Sequence, residues 1–230
     1  MTFPGADAAH VQTSDTARRL RGFGPLGLLA ILVILAGAVA GPVVSSILVL
    51  VWARLSHTPA RTLGFTALSS WTATLVGGAA FGILLKLGLK AIVMPLLGAP
   101  AINMSYHYLS GNTAALPGTV ATVVISAGIG EEVFFRGYLF ERFGALLGPG
   151  KAALAATILM SAALFAMVHY QDQGLPGVQQ AAVTGLVFGG IYAWRKQIWV
   201  VMVAHAAFDL TAVALIYWSW EAAVAHLLLR

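Results

Sequence analysis

The feature that most narrows the possible folds is how far this chain runs without an ionised side chain. From Gly22 to Ala53 there is no Asp, Glu, Lys or Arg, and further apolar runs cover Trp71–Met94, Pro117–Phe140, Ala152–Tyr170, Val178–Trp194 and Ile198–Trp220. A helix crosses a hydrocarbon core of about 30 Å with roughly 20 residues at about 1.5 Å each. Each run is therefore about long enough to span a bilayer. Only 9% of the 230 residues are charged and 59% are hydrophobic, where a soluble domain carries about 25% charged residues. That is too little charge for a surface that faces water on every side. The expected fold class is all-α: a polytopic transmembrane helical bundle of about six to eight membrane helices. A single integral membrane domain over 22–230 would follow a flexible polar tail over 1–21.

The net charge of +5 reads as topology. Arg54 and Arg61, Arg142 and Lys151, and Arg195 and Lys196 fall in alternate connections, while Pro95–Leu116 and Gln171–Gly177 hold no Lys or Arg. By the positive-inside rule the basic connections should be cytoplasmic. No basic cluster interleaves with aromatics in a polar segment, so no nucleic-acid partner is expected. Without cysteine there is no disulfide framework, thiolate metal site or Cys nucleophile. Ala38-Val39-Ala40 resembles a signal-peptide cleavage triplet, but the apolar run continues through Val43 to Trp52. A retained membrane segment is expected there. One crossing from Gly22 to Ala53 leaves Arg18, Arg19 and Arg21 outside, whereas a hairpin broken at Gly41-Pro42 keeps them inside.

An ionisable group within a membrane helix costs about 2.5–3.5 kcal/mol on insertion scales and so calls for a reason. Three places stand out: Glu131-Glu132 with Arg136, His169 at the end of its run, and His205 with Asp209. Glu132 and Arg136 are four apart and share a helical face, as do His205 and Asp209. Glu131 is turned about 100° from Glu132 and is left without an obvious counter-charge. Such a carboxylate suits a general base. Glutamate with two histidines can activate water with or without zinc. There is no His-Glu-x-x-His motif and no Gly-x-Ser-x-Gly elbow. Nor is there an internal repeat of the kind that builds transporters.

Glu131-Glu132-x-x-x-Arg136, then Phe165-x-x-x-His169, then His205-x-x-x-Asp209 resembles the three-motif signature of the CPBP intramembrane proteases. That family includes the CAAX prenyl endopeptidases and bacterial proteins linked to bacteriocin processing or self-immunity. The likeness covers about 118–210, which would be the catalytic core. It implies an intramembrane endopeptidase that cuts a membrane-associated or hydrophobic peptide or protein. A non-catalytic immunity or scaffold protein of the same family is the alternative. By resemblance, Glu131 activates water with His169, Glu132 and Arg136 hold the arrangement, and His205 with the residue four later stabilises the oxyanion. The family often has Asn at that last position; Asp209, if ionised, cannot donate a hydrogen bond. It must be protonated, orient His205 or bind a metal. Zn²⁺ on Glu131, His169 and His205 and a metal-independent glutamate mechanism both fit the resemblance. Membrane lipid is an expected partner, and the Ala-, Gly- and Arg-rich composition points to a bacterial cytoplasmic membrane.

Overall fold

The computed structural model describes residues 15–228, which are helical with short turns and, within that range, no strands. Helix α1 is Asp15–Arg21, α2 is Pro25–Ala40 and α3 is Pro42–Leu55. They are followed by α4 at Trp71–Leu96, α5 at Thr113–Leu147 and α6 at Lys151–Val168. Helix α7 is Tyr170–Arg195, α8 is Ile198–Tyr217 and α9 is Glu221–Ala225. The four helices α4, α5, α6 and α8 are long and apolar enough to cross a membrane. Counting the pair α1 and α2, bent by 57°, as one span makes five. The expected six to eight are not confirmed among the described residues, because α3 is short and α7 carries a polar first turn and a break.

The N-terminal alternatives resolve into two arms. Gly41, at φ 139° and ψ 157°, lies in a region that L-residues rarely enter, and it ends α2 just before Pro42 opens α3. The arms pack on each other, with Leu48 close against Gly37. Of the expected flexible tail, 1–14 lie outside the described residues, but 15–21 form a helix in which Asp15 pairs with Arg18 and Arg19 at 2.5 and 3.1 Å. The chain there is also anchored: Trp52 Nε1 donates to the Leu20 carbonyl at 3.0 Å and Arg142 to that of Arg21 at 2.7 Å.

Small residues set the distances between the long helices. Thr74, Gly78, Gly82 and Lys86, at a spacing of four, are the buried face of the first part of α4. They lie against α8, where a Cβ on Gly82 would stand 2.1 Å from the Ala204 carbonyl oxygen. Gly185 lets α7 approach Ala162 of α6, whereas Gly190 has open space beside it. Around these contacts a core forms from Trp52, Phe134, Tyr138, Phe165, Phe188 and Phe208. Leu32, Val39, Leu84 and Leu159 stand largely exposed on the outside. A bundle apolar on both its inside and its outside belongs in lipid.

Candidate active site

The first two acidic positions are brought into the bundle by their glycine neighbours. A Cβ on Gly128 would meet Ala206 of α8 at 2.8 Å, and one on Gly130 would meet Pro42 of α3 at 3.0 Å. Two helices therefore close on α5 at the level of Glu131 and Glu132. Here α5 is wound wider than an α-helix, with i→i+5 hydrogen bonding over Thr122–Glu131 and Val133–Leu139. Such turns recur at functional sites. The right-handed helical backbone at Glu132 (φ −66°, ψ −40°) still presents Arg136 on the same face.

Glu132 is fully buried, and its Oε1 accepts from Arg136 at 2.8 Å and from His205 Nδ1 at 2.7 Å. The guanidinium lies over the Phe165 ring, 4.5 Å from its centre, and Phe188 sits on its other flank at 5.7 Å. Phe165 and Phe188 also flank the His205 ring, at 5.8 and 5.4 Å. One carboxylate thus joins a cation and an imidazole inside an aromatic wall. A buried carboxylate needs this kind of pairing to stay ionised. Because Nδ1 of His205 donates to Glu132, its Nε2 is the atom turned onward. It lies 3.5 Å from Asp209 Oδ2 and 3.9 Å from Glu131 Oε2.

His169 sits between α6 and α7, the single residue that separates them. Its Nδ1 is 2.7 Å from the Phe165 carbonyl oxygen. A carbonyl can only accept, so Nδ1 carries the hydrogen, and in the neutral imidazole Nε2 then keeps its lone pair. Five residues beyond, Gly174 breaks α7 at φ 60° and ψ −155°, just ahead of Pro176. The connection expected at Gln171–Gly177 is realised as this break. Glu131, His169, His205 and Asp209 line one cavity of about 540 Å³. Glu131 Oε2 makes no hydrogen bond with the described residues. Glu132 is held through Oε1 alone, its Oε2 also lacking a partner among the described residues, whereas Glu131 has neither the guanidinium nor an imidazole within hydrogen-bond distance. Tyr106, outside the long helices, also lines the cavity, and burial, followed by the charge of Asp172, pushes its phenol above the usual range.

The structure therefore brings Glu131, Glu132, Arg136, His205 and Asp209 together and sets His169 on the same cavity. Zinc on Glu131, His169 and His205 is one of the two mechanisms that fit the resemblance. Among the described residues no three His, Asp or Glu side chains converge as a group that could hold a metal ion. The placement of Asp209 beside Nε2 fits the orienting role among the three open to it. Two residues were overlooked in the sequence. Phe188 is an apolar residue on an apolar helix, and nothing in its neighbours distinguishes it. Lys86 could have been found, since it is a charge inside the run Trp71–Met94. Its Nζ donates to Gln180 Oε1 at 2.7 Å and lies 4.8 Å from the centre of the Phe208 ring.

Comparison with known proteins gives a match over residues 113–211 to the family model described as type II CAAX prenyl endopeptidase Rce1-like. No curated protein and no solved structure matches the chain. The matched segment contains Glu131 through Asp209 and excludes Lys86.

Proposed function

We propose, from the premise that residues 113–211 belong to the CPBP/CAAX protease family, that this integral membrane protein hydrolyses peptide bonds with water activated by Glu131. The observation that carries the reading is the contrast between two adjacent carboxylates. Glu132 is held through Oε1 by Arg136 and His205, while Glu131, on the cavity wall, has its nearest imidazole nitrogen, Nε2 of His205, 3.9 Å away and makes no hydrogen bond through Oε2. A base must be free to take a proton, and a scaffold residue must not be.

In the proposed reaction, Glu131 takes a proton from water as the oxygen adds to the scissile carbonyl carbon. His169 holds that water through the Nε2 lone pair. His205, fixed through Nδ1 by Glu132 and protonated at both nitrogens, donates from Nε2 to the oxyanion. Asp209 keeps the ring in register. When the tetrahedral intermediate collapses, the C–N bond breaks and the proton held by Glu131 passes to the departing amine. Every step uses this chain's own residues. The substrate proposed is a hydrophobic or membrane-associated peptide, and the setting a bacterial cytoplasmic membrane.

The test compares cells carrying wild type or Glu131→Gln at equal protein level, with peptide termini read by mass spectrometry. A small set of termini that depend on Glu131 is expected. Identical termini, with both proteins folded and inserted, would overturn the reading.

A further inference from the structure

Three cations take no part in the proposed reaction or in the ion pairs of the bundle. Arg61 lies in the helical turn Ala60–Leu63 between α3 and α4, Lys151 opens α6, and Lys196 joins α7 to α8. They stand 45 or more positions apart in the chain, yet all three line one cavity of about 680 Å³. Each is exposed and makes no ion pair with the described residues. One carboxylate, Glu141, is on the same wall, but both of its oxygens accept from Arg142. The cations are therefore left without an answering charge.

The rest of the wall suits a phosphate that carries an apolar tail. Gly150, at φ 127° and ψ 161°, leads into α6, whose first turn no side chain caps. The backbone N–H groups there have no intrahelical acceptor, and a phosphate oxygen supplies one. Phe140, Ala145 and Leu154 line another part of the cavity, beside the exposed Leu146 and Leu147 that end α5. A free anion in water gains nothing from such a wall, whereas an acyl chain does. A zwitterionic lipid would bring its own cation to a cavity whose one carboxylate is taken. The three cations come from alternate connections and so lie at one end of the bundle, the cytoplasmic end by the positive-inside rule. Anionic lipids are met in that leaflet, and basic pockets between membrane helices hold their headgroups.

We propose that Arg61, Lys151 and Lys196 form a binding site for the headgroup of an anionic phospholipid of the cytoplasmic leaflet. The phosphate meets the cations and the start of α6, and the acyl chains leave over Ala145 and Leu154. The site shares no lining residue with the cavity of Glu131 and His205, so it is independent of the protease reading.

The experiment places the full chain in neutral detergent micelles doped with phosphatidylglycerol or phosphatidylcholine of the same acyl chains. Affinity is read from the rise of the thermal transition with lipid concentration, and retained lipids are counted by native mass spectrometry. Each cation near an anionic headgroup is worth roughly fivefold. Wild type should therefore prefer phosphatidylglycerol by about 100-fold, and the triple variant Arg61→Gln, Lys151→Gln, Lys196→Gln should bring the ratio to about one. A control, Arg18→Gln, Arg19→Gln, Arg54→Gln, removes as many positive charges from residues outside the cavity and should keep the preference. Equal binding of the two lipids by wild type, or an equal loss in the control, would overturn the site. A rise with inorganic phosphate as large as that with phosphatidylglycerol would make it a site for free anions and overturn the lipid. If the triple variant does not fold, Lys151→Gln alone decides. A loss of about fivefold for phosphatidylglycerol with none for phosphatidylcholine supports the site, and an unchanged affinity overturns it.

Discussion

Glu132, bonded to His205 of the cavity wall, and Lys86, on that wall, are both closed off from water, yet the bundle treats them in opposite ways. Glu132 receives a guanidinium and an imidazole, each within 2.8 Å, inside a wall of phenylalanines. Lys86 receives an amide and the face of one ring. A charge satisfied within the protein holds the fold in register. A charge left short of a counter-ion does not. The same distinction separates Glu132 from Glu131 one residue away, so the cavity has a locked side and an open side.

The largest effect expected comes from the open side. Glu131→Gln should lower kcat by about 10²- to 10⁴-fold, the usual contribution of a general base, with the thermal transition of the purified protein unchanged. A large loss of stability instead would mean that Glu131 is part of the locked side. Next comes the contrast between two cations. Arg136→Met strands Glu132 and should cost about 3–5 kcal/mol, as breaking a buried pair does, while Lys86→Met should leave stability the same or slightly higher. Thermal unfolding of both variants in one detergent reads this directly, and similar shifts would erase the comparison.

Smaller again is the packing that brings the two sides together. Gly82→Ala forces a methyl onto the Ala204 carbonyl and should destabilise by about 1–3 kcal/mol, typical of overpacking. Gly190→Ala, with open space around it, should be neutral in the same melt. Least of all, Asp209→Asn should change kcat/KM by about tenfold or less, since the amide keeps an oxygen that accepts beside His205 and loses only the charge. At 3.5 Å the contact with His205 Nε2 is long. A loss beyond a hundredfold would give Asp209 a direct part in the reaction.

Much of this could be read from the order of residues. Apolar runs of membrane length fix the class, because a helix in lipid must satisfy its backbone internally whatever surrounds it. The spacing of four between Glu132 and Arg136 dictates their pairing, since helix geometry alone brings them to one face. The motifs likewise mark Glu131, His169, His205 and Asp209 as one group, and the match over residues 113–211 covers all of them.

Other features depend on which helices touch. That Glu132 rather than Asp209 holds His205 at Nδ1 follows from the approach of α5 to α8 over Gly128, across 73 positions of chain. The number of spans also depends on packing, because the break at Gly41 and the one at Gly174 divide runs that hydropathy alone reads as uninterrupted or as separate. Lys86 shows the division most clearly. The sequence contained the anomaly, a cation in an apolar run, but its meaning comes from the tertiary fold. Only there does a stripe of small residues carry the ammonium to the cavity lined by Glu131, His169, His205 and Asp209, which lie 45 or more positions away along the chain. Local order determines what each helix can be. The close contacts between helices determine which of its charges are neutralised and which are left to meet a substrate.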